Sequence, residues 1–168
     1  MDGFQVGIPS TDWTGKAHLI LLVEDNLNDE LLALRALRIA SASIRVEVAH
    51  DGIEALEYLS DPNRPCPDLV LLDLKLPKIN GIEVLKTIRA AEKTRRIPVV
   101  VFTSSNEQAD VVGCFDTGAN GFVRKSVDFD EYMKKVSKLA DYWLNVNEPC
   151  LQANRELTNA SFNCAKTS

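Results

Sequence analysis

Three short blocks contain only aliphatic or aromatic residues: Leu19-Ile20-Leu21-Leu22-Val23, Leu69-Val70-Leu71-Leu72 and Val99-Val100-Val101-Phe102. Each is too short for a helix, and none alternates with polar residues. Each therefore predicts a strand buried on both faces. Such strands need helices on both sides of their sheet, which confines the chain to an α/β architecture. The intervening segments supply those helices. Asn28 to Ala40 carries Leu32, Ala36 and Ile39 on one face. Ile53, Leu56 and Leu59 follow Gly52, and Ile82, Leu85 and Ile88 follow Gly81, at helical spacing. Val111, Val112 and Phe115 predict a further helix, with Ser104 and Glu107 as its capping box. Asp128 and Glu131 form a second such pair, opening a helix to about Asn145, with Pro149 beyond it. Ile44, Val46 and Val48 alternate as a strand with one more polar face, and Phe122-Val123 makes a short fifth strand.

Five strands thus alternate with five helices in βα order, the pattern of a doubly wound, flavodoxin-like parallel sheet. The strand order 2-1-3-4-5 is adopted from that class. The 168 residues suit one domain. It is expected over 17–147, between a loose arm at 1–16 and an Asn-, Ser- and Thr-rich tail of low order at 148–168. A net charge of −5 argues against a nucleic-acid surface, and Lys93-Thr94-Arg95-Arg96 reads as a solvated loop. No apolar run approaches the ~20 residues of a membrane helix, and Met1 to Gln5 lacks the basic and apolar regions of a signal peptide. Cys66, Cys114, Cys150 and Cys164 form no CxxC pair, and only His18 and His50 could join them. That excludes a zinc site and predicts thiols in a reducing cytoplasm.

The polar residues that end the strands carry the functional signal. Strand one runs into Glu24-Asp25, strand three into Asp73, strand four into Thr103, and strand five is followed by Arg124-Lys125. In a parallel sheet these ends share one edge, where open α/β folds bind ligands. Asp73 alone would be a turn former, Glu24-Asp25 a helix-end pair, Thr103 a cap and Lys125 a solvated side chain. Four strands delivering compatible groups to one edge change that reading. Three close carboxylates repel one another unless cations sit among them. Lys125 supplies one positive charge, and Mg²⁺, which takes oxygen ligands, is the natural second. The set suits phosphoryl chemistry, in which a carboxylate attacks and the cations neutralise the transferring oxygens.

The motifs Leu19 to Asn26, Pro67 to Pro77, Gly81, Ile97 to Ser105 and Gly118 to Lys125 resemble the response-regulator receiver domain of two-component signalling. The likeness covers about Ala17 to Asn147. Val127 to Asp130 and Tyr142-Trp143-Leu144 are most similar to the stand-alone regulators paired with cyanobacterial phytochrome kinases. The resemblance implies that Asp73 is the phosphoacceptor, supplied by a phosphohistidine on a partner histidine kinase of the phytochrome type. It implies Mg²⁺ bound by Asp25 and Asp73, with Glu24 assisting and the Lys75 backbone carbonyl completing the protein ligands. Thr103 and Lys125 would contact the phosphoryl group, Phe122 would be the aromatic rotor, and Ser105 beside the site would join Lys75 in tuning phosphoryl lifetime. The tail is too short for a DNA-binding output unit.

Three positions depart from the family. Glu24-Asp25 stands for Asp-Asp, Phe122 for the frequent Tyr, and Lys125-Ser126 for Lys-Pro with its cis bond. A cis bond before Ser costs about 3–4 kcal/mol, so a trans bond is expected. Two other readings stay open: a pseudo-receiver that binds partners without phosphorylation, and a metal-dependent aspartyl phosphatase, though Lys75 stands where that class has its second Asp. On the last helix Phe129, Met133, Val136, Ala140 and Trp143 form the stripe expected to cover the sheet. Leu139, Tyr142 and Val146 widen it beyond what a surface helix needs. They predict a homodimer interface, unless a tail segment such as Leu151 to Leu157 folds back over them.

Overall fold

The computed structural model describes residues 17–148. The expected arm at 1–16 and the expected tail, except residue 148, lie outside the described residues. Each all-apolar block is a strand whose side chains divide between the two faces of the sheet, as a two-residue period requires. The strands are β1 (His18–Val23), β2 (Ile44–Ala49), β3 (Leu69–Leu72), β4 (Val99–Thr103) and β5 (Gly121–Arg124). All pairings are parallel and the order is β2-β1-β3-β4-β5. The helices are α1 (Leu27–Ala40), α2 (Gly52–Ser60), α3 (Gly81–Ala90), α4 (Gln108–Thr117) and α5 (Phe129–Asp141).

Ile20, Leu22, Leu69, Leu71, Val100 and Phe102 pack against α1 and α5 through Ala33, Ala36, Leu37, Tyr132 and Val136. Leu21, Val23, Val70, Leu72 and Val99 point the other way, onto Ala55, Tyr58, Val84, Leu85 and Ile88 of α2 and α3. Val101 meets Leu74 and Cys114 beneath α4. Among the described residues no helix is long and apolar enough to cross a membrane.

Helix faces differ from the periodic reading at several points. On α1 the buried face is Ala33, Ala36 and Leu37, while Ile39 is exposed. Small side chains let that helix lie close to the sheet. On α4 only Cys114 is buried, and Val112 and Phe115 face outward. The Ser104–Glu107 box does not form. Glu107 is itself the N-cap, without a side-chain cap bond, and its N–H donates to Ser105 Oγ instead. The second box forms by half: Asp128 accepts from the Glu131 N–H at 2.8 Å, but the Glu131 carboxylate takes Ser126 Oγ and Lys135.

On α5 the stripe runs through Tyr132, Val136, Leu139 and Ala140, whereas Phe129 is exposed beneath the Arg35 guanidinium. Leu139 is 7 % exposed and belongs to the core, so it is withdrawn from the expected dimer contacts. It lies three residues from Val136 and seven from Tyr132, both core-facing, and so shares their face. The helix does not run on unchanged to Asn145; residues Tyr142–Val146 form one π-helical turn, closed by the Asn147 N–H on the Tyr142 carbonyl at 2.7 Å.

Gly81 is the residue the β3–α3 connection cannot do without. A Cβ there would lie 2.2 Å from the Asp73 carbonyl oxygen and 2.8 Å from the Leu74 Cα. Both are backbone atoms and neither can swing aside. Gly81→Ala is expected to cost about 1–3 kcal/mol of stability through overpacking and to displace Asp73. A urea melt unchanged from that of the wild type would show that the loop can yield.

Candidate functional site

Ladder hydrogen bonds carry each strand one step past its end and align the residues that follow. The Glu24 N–H donates to the Ala49 carbonyl at 2.9 Å, Asp73 N–H to Val23 at 3.0 Å and Lys125 N–H to Thr103 at 2.8 Å. Glu24, Asp73, Thr103 and Lys125 are thereby lined up on one sheet edge. Asp73 is 5 % exposed and both its oxygens are engaged. Oδ1 accepts from Thr103 Oγ1 at 2.7 Å and from the Lys75 N–H at 3.2 Å, and Oδ2 accepts from Lys125 Nζ at 2.7 Å. The same ammonium donates to Glu24 Oε2 and, at 2.8 Å, to Asp29 Oδ2. Its three donors are therefore spent on three carboxylates. The Lys125–Ser126 bond is trans, since no cis peptide occurs among the described residues, and the lysine reaches the cluster without a proline after it.

One ammonium cannot neutralise these carboxylates. Burial raises the Glu24 carboxyl to about 7 against the opposing pull of Lys125, and Asp73 adds to the rise. Burial would raise Asp73 too, but the Lys125 charge and the bonds from Lys125, Thr103 and the Lys75 N–H outweigh it and hold Asp73 below the ordinary carboxylate value. Burial disfavours the charged Lys125, yet Asp73, Asp29 and Glu24 drive its pKa well above the usual lysine range. Excess negative charge therefore remains. One oxygen from each of Glu24, Asp25 and Asp73 lies within 4.8 Å of the others. An all-oxygen, anionic donor set of this kind matches a hard divalent cation.

The described chain matches the response regulator receiver domain over residues 20–137. This protein belongs to the response-regulator receiver family. Response regulator Rcp1 of Synechocystis is 34% identical over 138 residues, covering 80% of this chain and 94% of that one. A probable methanogenesis regulatory protein, FilR2 of Methanothrix harundinacea, is 39% identical over 132 residues, covering 77% and 85%. The crystal structure of the phosphorylated cyanobacterial phytochrome response regulator RcpA superposes with a TM-score of 0.76 at 36% identity, covering 80% of this receiver and all of that chain. The Mn²⁺-bound form of Rcp1 gives 0.75 at 33%, covering 80% and 99%. The receiver is thus close to the phytochrome-associated regulators in both sequence and fold.

The receiver places the residues singled out in its sequence as follows. Glu24, Asp25, Asp73, Thr103 and Lys125 come together. Lys75 supplies its N–H to Asp73. Phe122 pairs with Val101 in the sheet and is half-buried against the cluster of Leu74, Val101 and Cys114. Ser105 is buried, donates its N–H to Thr103 Oγ1 at 3.3 Å and is bonded to Asp110 through its hydroxyl. Asp29 was not singled out. An acid in the first turn of a helix is expected on dipole grounds alone, and that reading hides its contact with a lysine 96 positions away. The Asp51–Lys78 ion pair also escaped notice. Lys78 has a left-handed backbone, φ 67°, and its ammonium meets the Asp51 carboxylate that caps α2.

Proposed function

We propose that this receiver is a phosphoacceptor switch. Asp73 takes a phosphoryl group from a phosphohistidine of a partner histidine kinase in the presence of Mg²⁺. The observation that carries this reading is the buried Asp73 carboxylate gripped by Thr103 and Lys125 beside Glu24 and Asp25. An Asp73 oxygen forms a bond to phosphorus, the phosphorus–nitrogen bond of the phosphohistidine breaks, and the departing imidazole nitrogen keeps the electron pair. Lys125 stays near enough to pair with a phosphoryl oxygen, and the Thr103 hydroxyl is placed to donate to another. Glu24, Asp25 and Asp73, with the Lys75 carbonyl, would hold the Mg²⁺, which when bound supplies positive charge beside the transferring oxygens. The likeness to Rcp1 and to RcpA supports a phytochrome-type kinase as the phosphoryl source. Incubation with a small acyl phosphate and Mg²⁺, read by intact-protein mass spectrometry, is expected to add one phosphoryl group, and EDTA is expected to prevent it. No mass gain would favour a pseudo-receiver, and sustained turnover of phosphoesters a phosphatase.

Switching follows from the Thr103–Asp73 bond. A phosphoryl group on Asp73 gives Thr103 a more strongly charged acceptor, and a move of Thr103, two residues along β4 from the Val101 that pairs with Phe122, would reach β5 and bias an existing equilibrium. Thr103→Ala is expected to accept the phosphoryl group yet lose the phosphorylation-dependent NMR shifts of β5 and α4. Wild-type shifts in that variant would remove Thr103 from the relay.

Self-association is the second element of the proposal. Tyr142 and Val146 are 51 % and 63 % exposed on the π-helical turn, with Tyr142 set edge-on against Trp143. Apolar groups left on a helix end suit a symmetric contact. Light scattering is expected to report a dimer at micromolar concentration, and Tyr142→Glu a monomer that remains folded. A monomeric wild type, phosphorylated or not, would refute it.

A further inference from the structure

Lys125 holds three carboxylates, and they are not equivalent. Glu24 and Asp73 are also two of the three residues whose oxygens cluster as a cation site, whereas Asp29 is outside that cluster. The ammonium therefore sits on two of the three carboxylates that cluster as a cation site, and the two positive charges compete for the same groups. Of the three, Asp29 alone lies outside the cation cluster and so can hold Lys125 without competing with the cation.

Its position is well held. Asp29 lies in the first turn of α1, after Asn26, whose side chain accepts from the Asn28 and Asp29 N–H groups at 2.9 and 3.2 Å. Its carbonyl accepts the Tyr132 hydroxyl at 3.2 Å, which ties this turn to α5. Tyr132 in turn meets Phe102 edge-on at 5.3 Å, and Phe102 lies 5.9 Å beneath the Lys125 ammonium. The turn that carries Asp29 and the floor under Lys125 are thus one packed unit, which fixes the Asp29 backbone within reach of the lysine.

We infer that Asp29 is a positioning residue for phosphotransfer: it retains the Lys125 ammonium beside Asp73 while Glu24 is yielded to the divalent cation. The inference rests on the phosphoacceptor reading above. Without Asp29 the ammonium falls back on Glu24 and Asp73 and opposes the cation. A carboxylate acting only through helix electrostatics would show no dependence on Lys125, and that difference makes the role testable.

Mn²⁺ titration by isothermal calorimetry at neutral pH serves as the first readout, on wild type, Asp29→Asn, Lys125→Met and the double variant. Asp29→Asn is expected to weaken Mn²⁺ binding about fivefold to tenfold, and to do so less than about twofold in the Lys125→Met background, the non-additivity of contacting residues. Asp29→Glu is expected to recover most of the affinity, which keeps the test decisive should Lys125→Met fail to fold. An equal loss in both backgrounds, no loss in Asp29→Asn, or no recovery in Asp29→Glu would overturn the inference, as would a wild type that binds no Mn²⁺. The second readout is the rate of phosphoryl uptake from a small acyl phosphate, expected to fall with the affinity. A wild type that binds Mn²⁺ but takes no phosphoryl group would overturn the functional reading, and the cation arm would then still decide whether Asp29 acts through Lys125.

Discussion

Asp73→Asn will take up no phosphoryl group from a small acyl phosphate and Mg²⁺, a loss of at least about a hundredfold against wild type, because an amide oxygen is a far poorer nucleophile than a carboxylate. The variant should still fold. Its amide oxygen can keep the hydrogen bond from Thr103, now 2.7 Å, and the substitution removes one of several mutually repelling carboxylates. What it loses is the charge opposite Lys125, which Glu24 and Asp29 continue to supply. Intact-protein mass spectrometry together with a urea melt separates the two effects. Wild-type labelling of this variant would move the acceptor away from Asp73.

The second large effect is on stability. Lys125 is 6 % exposed at its side chain, and so is Asp73, while Glu24 is 2 % exposed. Lys125→Met leaves those carboxylates without a counter-charge, and removing one partner of a buried ion pair typically costs about 3–5 kcal/mol. In EDTA at pH 8 a loss of about 3 kcal/mol is expected. The sign of the pH dependence follows from linkage. Glu24 binds its proton more tightly in the folded protein, with its pKa raised from 4.5 to about 7. Its carboxylate therefore lowers stability as pH rises through that window. In the wild type Lys125 offsets this, since its raised pKa contributes stability that is fully present below the ordinary lysine value. Without Lys125 the decline between pH 5 and 8 should steepen, and Mg²⁺ should restore part of it. Urea melts at pH 5 and pH 8, with and without Mg²⁺, measure each part. A variant as stable as wild type at pH 8 in EDTA would show that the carboxylates shed their charge at little cost.

Much of the fold was legible in the chain because its strongest signals are local. An apolar block of four or five residues declares a doubly covered strand whatever lies elsewhere, and the ends of three such blocks and of the short fifth strand, followed by acid, hydroxyl or lysine, mark one edge once the sheet is parallel. Glu24, Asp25, Asp73, Thr103 and Lys125 were found that way, and the structure brings them together. Helix faces were less legible, since the side that is buried depends on what packs against it. Periodicity could not choose Leu37 over Ile39 on α1, or put Tyr132 inside and Phe129 outside on α5. Tyr132 is buried because its ring reaches Phe102 while its hydroxyl finds the Asp29 carbonyl, a pairing between residues 103 apart. The same holds for the lysine at the centre of the site. Residue type and strand end placed Lys125 on the right edge. That it divides its three protons among Glu24, Asp29 and Asp73, at separations of 101, 96 and 52 residues, was decided by tertiary structure alone. A side chain four carbons long can reach several acids around its strand end, and only the packed positions of β1, α1 and β3 select which.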